Sequence, residues 1–361
     1  MLGSLIRNFS RIAYRHPVIP ENREGKGAFG KLKIALLADY FTAACLAEEC
    51  RIRYLTPRNY REILSGWKPD LVFVESVFHG VDDGWRFRLG KQPHYLKLLP
   101  SNEIRDLALF AGELDIPAIF WNKDDKAFFD FFLDAASNFK YVFTTDSDCV
   151  PRYKEKLPPG TEINVLAMPY QPAFHNFTGF AFESREACFV GSYYRKILRK
   201  RRDFLNMIFE ACDSANFRLN VYDRNSSRVS HFFEFKYPVS KAISLHKGVP
   251  YARTGELYKK FSCSINANSI TDSPTMVSRR LLEILACGGI CVTNANPAVK
   301  RHFSRYCHIA DSYETAKELF ERLSRGPNQD DLEKAEAGAR YVAAYHTWER
   351  RLEQLEDTIN F

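Results

Sequence analysis

From residue 31 onward, short continuous apolar runs recur along the chain, at 32–38, 71–74, 117–121, 141–145 and 163–167. Each is too short to be a helix and reads as a strand. The runs do not alternate with polar positions, so both strand faces are buried, which implies a parallel sheet covered by helices. Residues 104–114 and 128–136 carry apolar positions at helical spacing and supply such covers. Pro169, Pro172 and Gly179 break the rhythm. It restarts with a strand at 188–191, a helix over 197–211, strands at 217–222 and 263–266, a helix over about 276–286, and a strand at 290–293. A charged helical segment over 331–359 closes the chain. The pattern predicts an α/β protein of two successive doubly wound units with a cleft between them. The expected organisation is a leader at 1–30, a first domain at 31–172, a second at 180–330, and a helix at 331–361 returning to the first.

The 361 residues leave room for two domains. At 45% hydrophobic and 26% charged, the chain is neither wholly disordered nor fibrous. Fifty-one basic against 44 acidic residues give a net +7, which suits a small anionic ligand or an anionic surface and excludes the basic loading of a chromatin protein. No nucleic-acid partner is expected. Nine scattered cysteines without a CxxC read as reduced core thiols, and no metal site is expected. No apolar run is long enough to span a bilayer. Leu2, Leu5, Ile6, Phe9, Ile12 and Ala13 fall at helical spacing between Arg7, Arg11 and Arg15. Residues 1–15 are therefore a basic amphipathic helix, either in peripheral contact with an anionic leaflet or docked on the protein body. The expected location is the cytoplasm, with a peripheral place at the inner membrane face on the first of these two readings of residues 1–15.

Ligands of open α/β sheets bind beyond the carboxyl ends of the strands. In the first domain those positions hold Asp39, Glu75 with Ser76 and His79, Asn122 to Asp125, and Asp146 with Asp148. In the second they hold Gly191 with Ser192, and the segment 266–280. Gly191-Ser192, between a strand and a helix start, suits close approach of an anion to helix N–H groups or simply a tight turn. Of the basic run that follows, Arg195 and Lys196 lie nearest the ligand end, and most of the rest is a solvated face. A polar loop then leads into a helix carrying Arg279, Arg280 and Glu283. An arginine here suits bidentate binding of phosphate oxygens, and Glu283 suits the two hydroxyls of a ribose. A salt-bridged helix face is the plainer reading. Asp146-Ser147-Asp148 spells DxD, but Asp146 reads as a helix cap rather than a metal ligand.

Ser273-Pro274-Thr275-Met276-x-x-Arg279-Arg280-x-x-Glu283-x-x-Ala286-Cys287-Gly288 resembles the donor-nucleotide motif of GT-B glycosyltransferases. More closely it is similar to the CgeB-type (spore-maturation-like) family of bacterial surface-glycan enzymes. The motif 68–76 with Gly80 and Trp85, the segments 121–125, 143–149, 189–192 and 248–251, and the closing His346-Thr347-Trp348-x-x-Arg351 resemble the same family in the same order. The resemblance implies the GT-B fold, two Rossmann-like domains facing a central cleft. It implies a UDP-, dTDP- or GDP-sugar as donor substrate, no cofactor, and a glycan or lipid-linked acceptor in capsule or lipopolysaccharide synthesis. The donor side is expected to include Gly191, Ser192, Arg195, Ser273, Met276, Arg279, Arg280 and Glu283. The acceptor side is expected to include Ser76, Trp85, Asn122 and Asp125. Catalytic candidates are Glu75, His79, Asp124 and Arg279, with Glu75 favoured as base. Many retaining members carry a second glutamate where this chain has Thr275, which weakens a retaining mechanism. A non-hydrolysing sugar-nucleotide epimerase and a non-catalytic scaffold are the alternatives.

Overall fold

The computed structural model describes residues 18–81, 83–90, 102–228 and 230–361. The leader helix read over residues 1–15 lies outside them. The described chain divides into an N-terminal unit of Val18–Gln171, Ser273–Met276 and His346–Phe361, and a C-terminal unit built from Pro172–Asp272 and Val277–Tyr345.

In the N-terminal unit the apolar runs become β1 (Lys33–Leu37), β3 (Leu71–Glu75), β4 (Ala118–Asn122), β5 (Tyr141–Thr144) and β6 (Glu162–Val165). With β2 (Arg51–Tyr54) they form a parallel sheet in the order β2-β1-β3-β4-β5-β6. Val72, Val74, Phe120 and Val142 fill one core with Phe129 and Phe132 of the helix Phe129–Ala136. In the C-terminal unit β7 (Ser184–Gly191), β8 (Leu219–Asp223), β9 (Ile243–Lys247), β10 (Phe261–Asn266), β11 (Ile290–Thr293) and β12 (His308–Ile309) run parallel in the order β12-β11-β10-β7-β8-β9. Phe189, Val221, Ile265 and Val292 pack there against Leu205 and Ile208 of the helix Arg199–Ser214. All nine cysteines are buried and unbridged.

Three strands escape the apolar-run pattern: β2, β9 and β12. Each lies at a sheet edge, where covering is thin and the residues are more polar. Two helices also differ from the sequence reading. The donor-motif helix begins at Arg279 rather than about 276, because Ser273–Met276 folds into a turn: the Thr275 and Met276 N–H groups donate to Ser273 Oγ at 3.3 and 2.9 Å. Gly288, at φ +71°, ends this helix in the left-handed conformation that glycine adopts without strain. The charged C-terminal segment is two helices, Gln329–Tyr345 and Trp348–Ile359. Between them Tyr170 N–H donates to His346 O (2.9 Å) and Trp348 N–H donates to Tyr170 O (3.2 Å). Extended Thr347 caps the second helix by accepting from Arg350 N–H.

Candidate functional site

In the N-terminal unit Asp39 caps the helix Tyr40–Glu49, accepting from the Phe41 and Thr42 N–H groups at 3.1 and 3.3 Å. This brings Asp39 and Thr42 to the end of β3. There Glu75 is fully buried and accepts from Asp39 N–H (2.9 Å) and Thr42 Oγ1 (2.8 Å). Lys123, which follows β4, places Nζ 3.0 Å from Asp124 Oδ2, 3.3 Å from Asp39 Oδ2 and 3.4 Å from Glu75 Oε1. Burial, and then Asp39, push the Glu75 carboxyl up to about 8. Burial acts to lower the Lys123 ammonium, but Asp124, Glu75 and Asp39 hold it well above its ordinary range. Ser76 Oγ donates to Asp124 Oδ2 (3.0 Å) and accepts from Lys123 N–H (3.1 Å). The Asp124 side chain is 28% exposed and that of Glu75 0%, so of these two carboxylates only Asp124 reaches solvent.

Asn122 and Asp125 lie beneath this cluster. Buried Asp125 accepts from Asn122 Nδ2 (2.7 Å), Thr144 Oγ1 (2.6 Å) and Tyr153 OH (2.9 Å), and burial raises its carboxyl to about 7. The two residues brace β4, β5 and the helix Cys149–Lys156 from inside rather than offering a face to an acceptor. Trp85 is a core residue whose Nε1–H donates to Leu55 O at 2.6 Å. His79 is half exposed and pairs with Asp83 at 2.9 Å, outside the Lys123 cluster. Asp146 accepts from Asp148 N–H at 3.1 Å, in a turn just before the next helix. Phe128, Phe131 and Phe132 gather around Phe78 with ring centroids 5.1 to 5.4 Å away.

In the C-terminal unit β7 ends at Gly191. A Cβ there would fall 2.8 Å from Arg280 Nη2 and 2.7 Å from Phe189 Cζ, so the close approach of Arg280 requires glycine. Arg280 Nε donates to Val190 O at 2.6 Å. Arg201 comes in from the helix Arg199–Ser214, is 4% exposed, and donates to Ala267 O and to Ser192 O (3.2 Å). Its Nε is buried without a hydrogen-bond partner. Both guanidiniums lie over the Phe189 ring, 5.7 Å for Arg201 and 5.0 Å for Arg280. Among the described residues neither has an ion-pair partner. Burial, and then Arg280, pull Arg201 down to about 9, which leaves it charged at neutral pH. Glu283, one turn along the helix Arg279–Ala286, accepts from Arg279 Nε (2.7 Å) and Tyr251 OH (2.8 Å). Burial acts to raise its carboxyl, but Arg279 and His175 hold it below the ordinary range. At the ends of β10 and β11, Ser278 Oγ donates to Asn266 Oδ1 (2.7 Å) and Asn266 Nδ2 donates to Thr293 Oγ1 (2.9 Å).

The predicted donor residues therefore separate. Gly191, Ser192, Arg280 and Glu283 belong to the C-terminal unit, whereas Ser273 and Met276 fall in the N-terminal one. There Thr275 Oγ1 donates to Thr145 O and accepts from Ser147 N–H, both at 2.9 Å. Arg279 is engaged by Glu283. Gly191-Ser192 does not open a helix: a loop follows, with Leu198 at φ 54°, and the helix starts at Arg199. Within that loop Arg195 is exposed and donates to Phe232 O at 3.2 Å, and shares no hydrogen-bond partner with Arg201 or Arg280. The sequence reading has Lys123 and Tyr251 within the segments 121–125 and 248–251 but gives them no role, and it leaves Arg201 on a solvated face. For Arg201 a signal exists, since it shares a helical face with Phe204, Leu205, Ile208 and Cys212, all buried.

Residues 199–357 match the family model described as "Glycosyl transferase-like". Comparison with curated protein sequences gives no match. HepE of Anabaena, solved in complex with UDP, is similar with a TM-score of 0.56 at 9% identity, over 91% of this chain and 91% of that one. Sucrose-phosphate synthase of Thermosynechococcus elongatus gives 0.52 at 8% identity, over 100% of this chain and 93% of that one. S. aureus TarM gives 0.49 at 10% identity over 84% of this chain, which spans 59% of TarM's length. At such identities the likeness to HepE and to the sucrose-phosphate synthase is one of fold.

Proposed function

We propose that this chain, which has the GT-B fold and is a glycosyltransferase-like enzyme over residues 199–357, moves a sugar from a nucleotide-diphosphate donor to an acceptor hydroxyl. One observation carries the reading: two guanidiniums, Arg201 and Arg280, lie together at the end of β7 without an ion-pair partner among the described residues. Arg201 is buried and Arg280 half-buried beside it, and holding a cation out of water is costly unless an anion completes the site. A diphosphate does so, and its charge grows as the glycosidic bond breaks, so fixed arginines stabilise the transition state more than the ground state. In this reading arginine, not a metal ion, neutralises the leaving group. Gly191 admits the ligand to the strand end, and the N-terminus of the helix Arg279–Ala286 adds its dipole. Glu283, ionised and held by Arg279 and Tyr251, accepts the ribose hydroxyls. HepE was solved with UDP and with UDP-glucose, so uridine is the base to test first.

On the acceptor side Asp124 takes the hydroxyl proton, positioned by Ser76 and Lys123, with Glu75 as buried support. Thr275 already bonds Thr145 and Ser147 where many retaining enzymes carry a glutamate, which favours an inverting route. The sequence resemblance points to a glycan or lipid-linked acceptor of bacterial surface polysaccharide on the cytoplasmic side.

Isothermal titration tests the donor site. UDP binding is expected, weakened about tenfold or more by Arg201→Met or Arg280→Met. Asp124→Asn should keep UDP affinity and lose transfer. Failure of folded protein to bind UDP, GDP or TDP, or wild-type affinity in both arginine variants, would overturn the assignment.

A further inference from the structure

One face of the C-terminal unit is both apolar and strongly basic, and the chemistry above does not use it. Phe232, Phe233, Val239 and Leu245 stand in solvent there, Phe233 at 65% and Val239 at 100% exposure. Phe232, Val239 and Leu245 line a shallow groove of about 380 Å³ with Tyr237 and Ile243, and the Phe233 ring stands beside that of Phe232, 5.3 Å between centroids. Exposed Ile197 lies two residues beyond Arg195, whose guanidinium donates to Phe232 O. The groove borders β9, an edge strand of its sheet.

The charge of this face is one-sided. Segments 195–200 and 228–247 expose Arg195, Lys196, Arg199, Lys200, Arg228, Lys236, Lys241 and Lys247 against a single carboxylate, Glu234. The helix Arg199–Ser214 adds three exposed carboxylates, Asp203, Glu210 and Asp213. Asp203 pairs with Arg199 at 3.6 Å, and Asp213 accepts from Ser240 Oγ at 3.0 Å. The Lys236 ammonium lies 4.7 Å over the Phe232 ring, a cation–π contact that sets charge and aromatic side by side at the surface.

We propose that this face docks on an anionic lipid bilayer. Aromatic and branched side chains set among lysines and arginines match the boundary between headgroups and acyl chains, where each cation near a negative leaflet adds attraction. The composition argues against the other occupants. The centre of a protein–protein interface is depleted in lysine, and single-stranded nucleic acid engages stacked aromatics and cations but has no use for exposed Val239 and Leu245. The inference does not rest on the donor-site reading and is separate from the membrane contact expected of residues 1–15.

Vesicle co-sedimentation of the full chain tests it, using equal parts phosphatidylglycerol and phosphatidylcholine against phosphatidylcholine alone. Binding to the anionic vesicles only is expected. The pairs Phe233→Ser with Val239→Ser, and Lys236→Glu with Lys241→Glu, should each weaken it about tenfold while leaving UDP affinity unchanged. Three outcomes would overturn the proposal. The wild type binds no vesicles, or both double variants bind like the wild type, which assigns the contact elsewhere in the chain. In the third, light scattering shows a dimer that both variants dissolve without any change in vesicle binding, which makes the occupant a second copy.

Discussion

At Lys123, one ammonium stands within 3.0 to 3.4 Å of three carboxylates, and the most buried of these is the one whose proton affinity rises. The Glu75 carboxyl, ordinarily near 4.5, titrates at about 8 because burial and Asp39 disfavour its charge more than Lys123 favours it. A folded-state pKa raised above the unfolded one means the native state binds the proton more tightly. That stability is complete below the unfolded value and is lost as pH rises through the folded value. Glu75→Gln keeps the shape and removes the titration. Its stability relative to wild type should therefore move in the variant's favour between about pH 6 and about pH 9. Urea unfolding at the two pH values measures this, and a difference independent of pH would contradict it.

Among the elements, the helix Trp348–Ile359 ties the end of the chain into the N-terminal unit. Trp348 is 2% exposed and meets Trp121 and Phe73 edge-on at 5.7 and 6.3 Å, while Gln354 Nε2 donates to Val165 O at 2.7 Å. Trp348→Ala removes a large side chain from a packed site that cannot fully collapse and should cost about 3–5 kcal/mol. Urea denaturation measures this, and a loss under about 1 kcal/mol would show that the helix end is dispensable.

For the whole molecule, each unit is a six-stranded parallel sheet with its own core, and the guanidinium pair belongs to the C-terminal one. A ligand that binds only the folded form stabilises it by mass action. At about a hundredfold over its dissociation constant, UDP should add about 2.7 kcal/mol. In calorimetry this appears as a raised melting temperature in wild type and little shift in Arg201→Met at the same concentration. An equal shift in both would place nucleotide binding away from Arg201.

Much of the architecture was legible along the chain, because strands buried on both faces must be apolar throughout. The runs at 71–74, 117–121 and 290–293 thus announce β3, β4 and β11, whereas the more polar edge strands β2, β9 and β12 go unannounced. Glu75, Arg280 and Glu283 were also legible as polar residues at strand ends or on an apolar helix. What each of them does was decided by residues far along the chain. Arg280 meets a carbonyl 90 positions away, and Ser76 meets Asp124 across 48. Burial and charge environment arise from such distant neighbours. Hence only the folded chain shows which groups Arg201 meets, puts Trp85 in the core, and makes Lys123 the hub of three carboxylates.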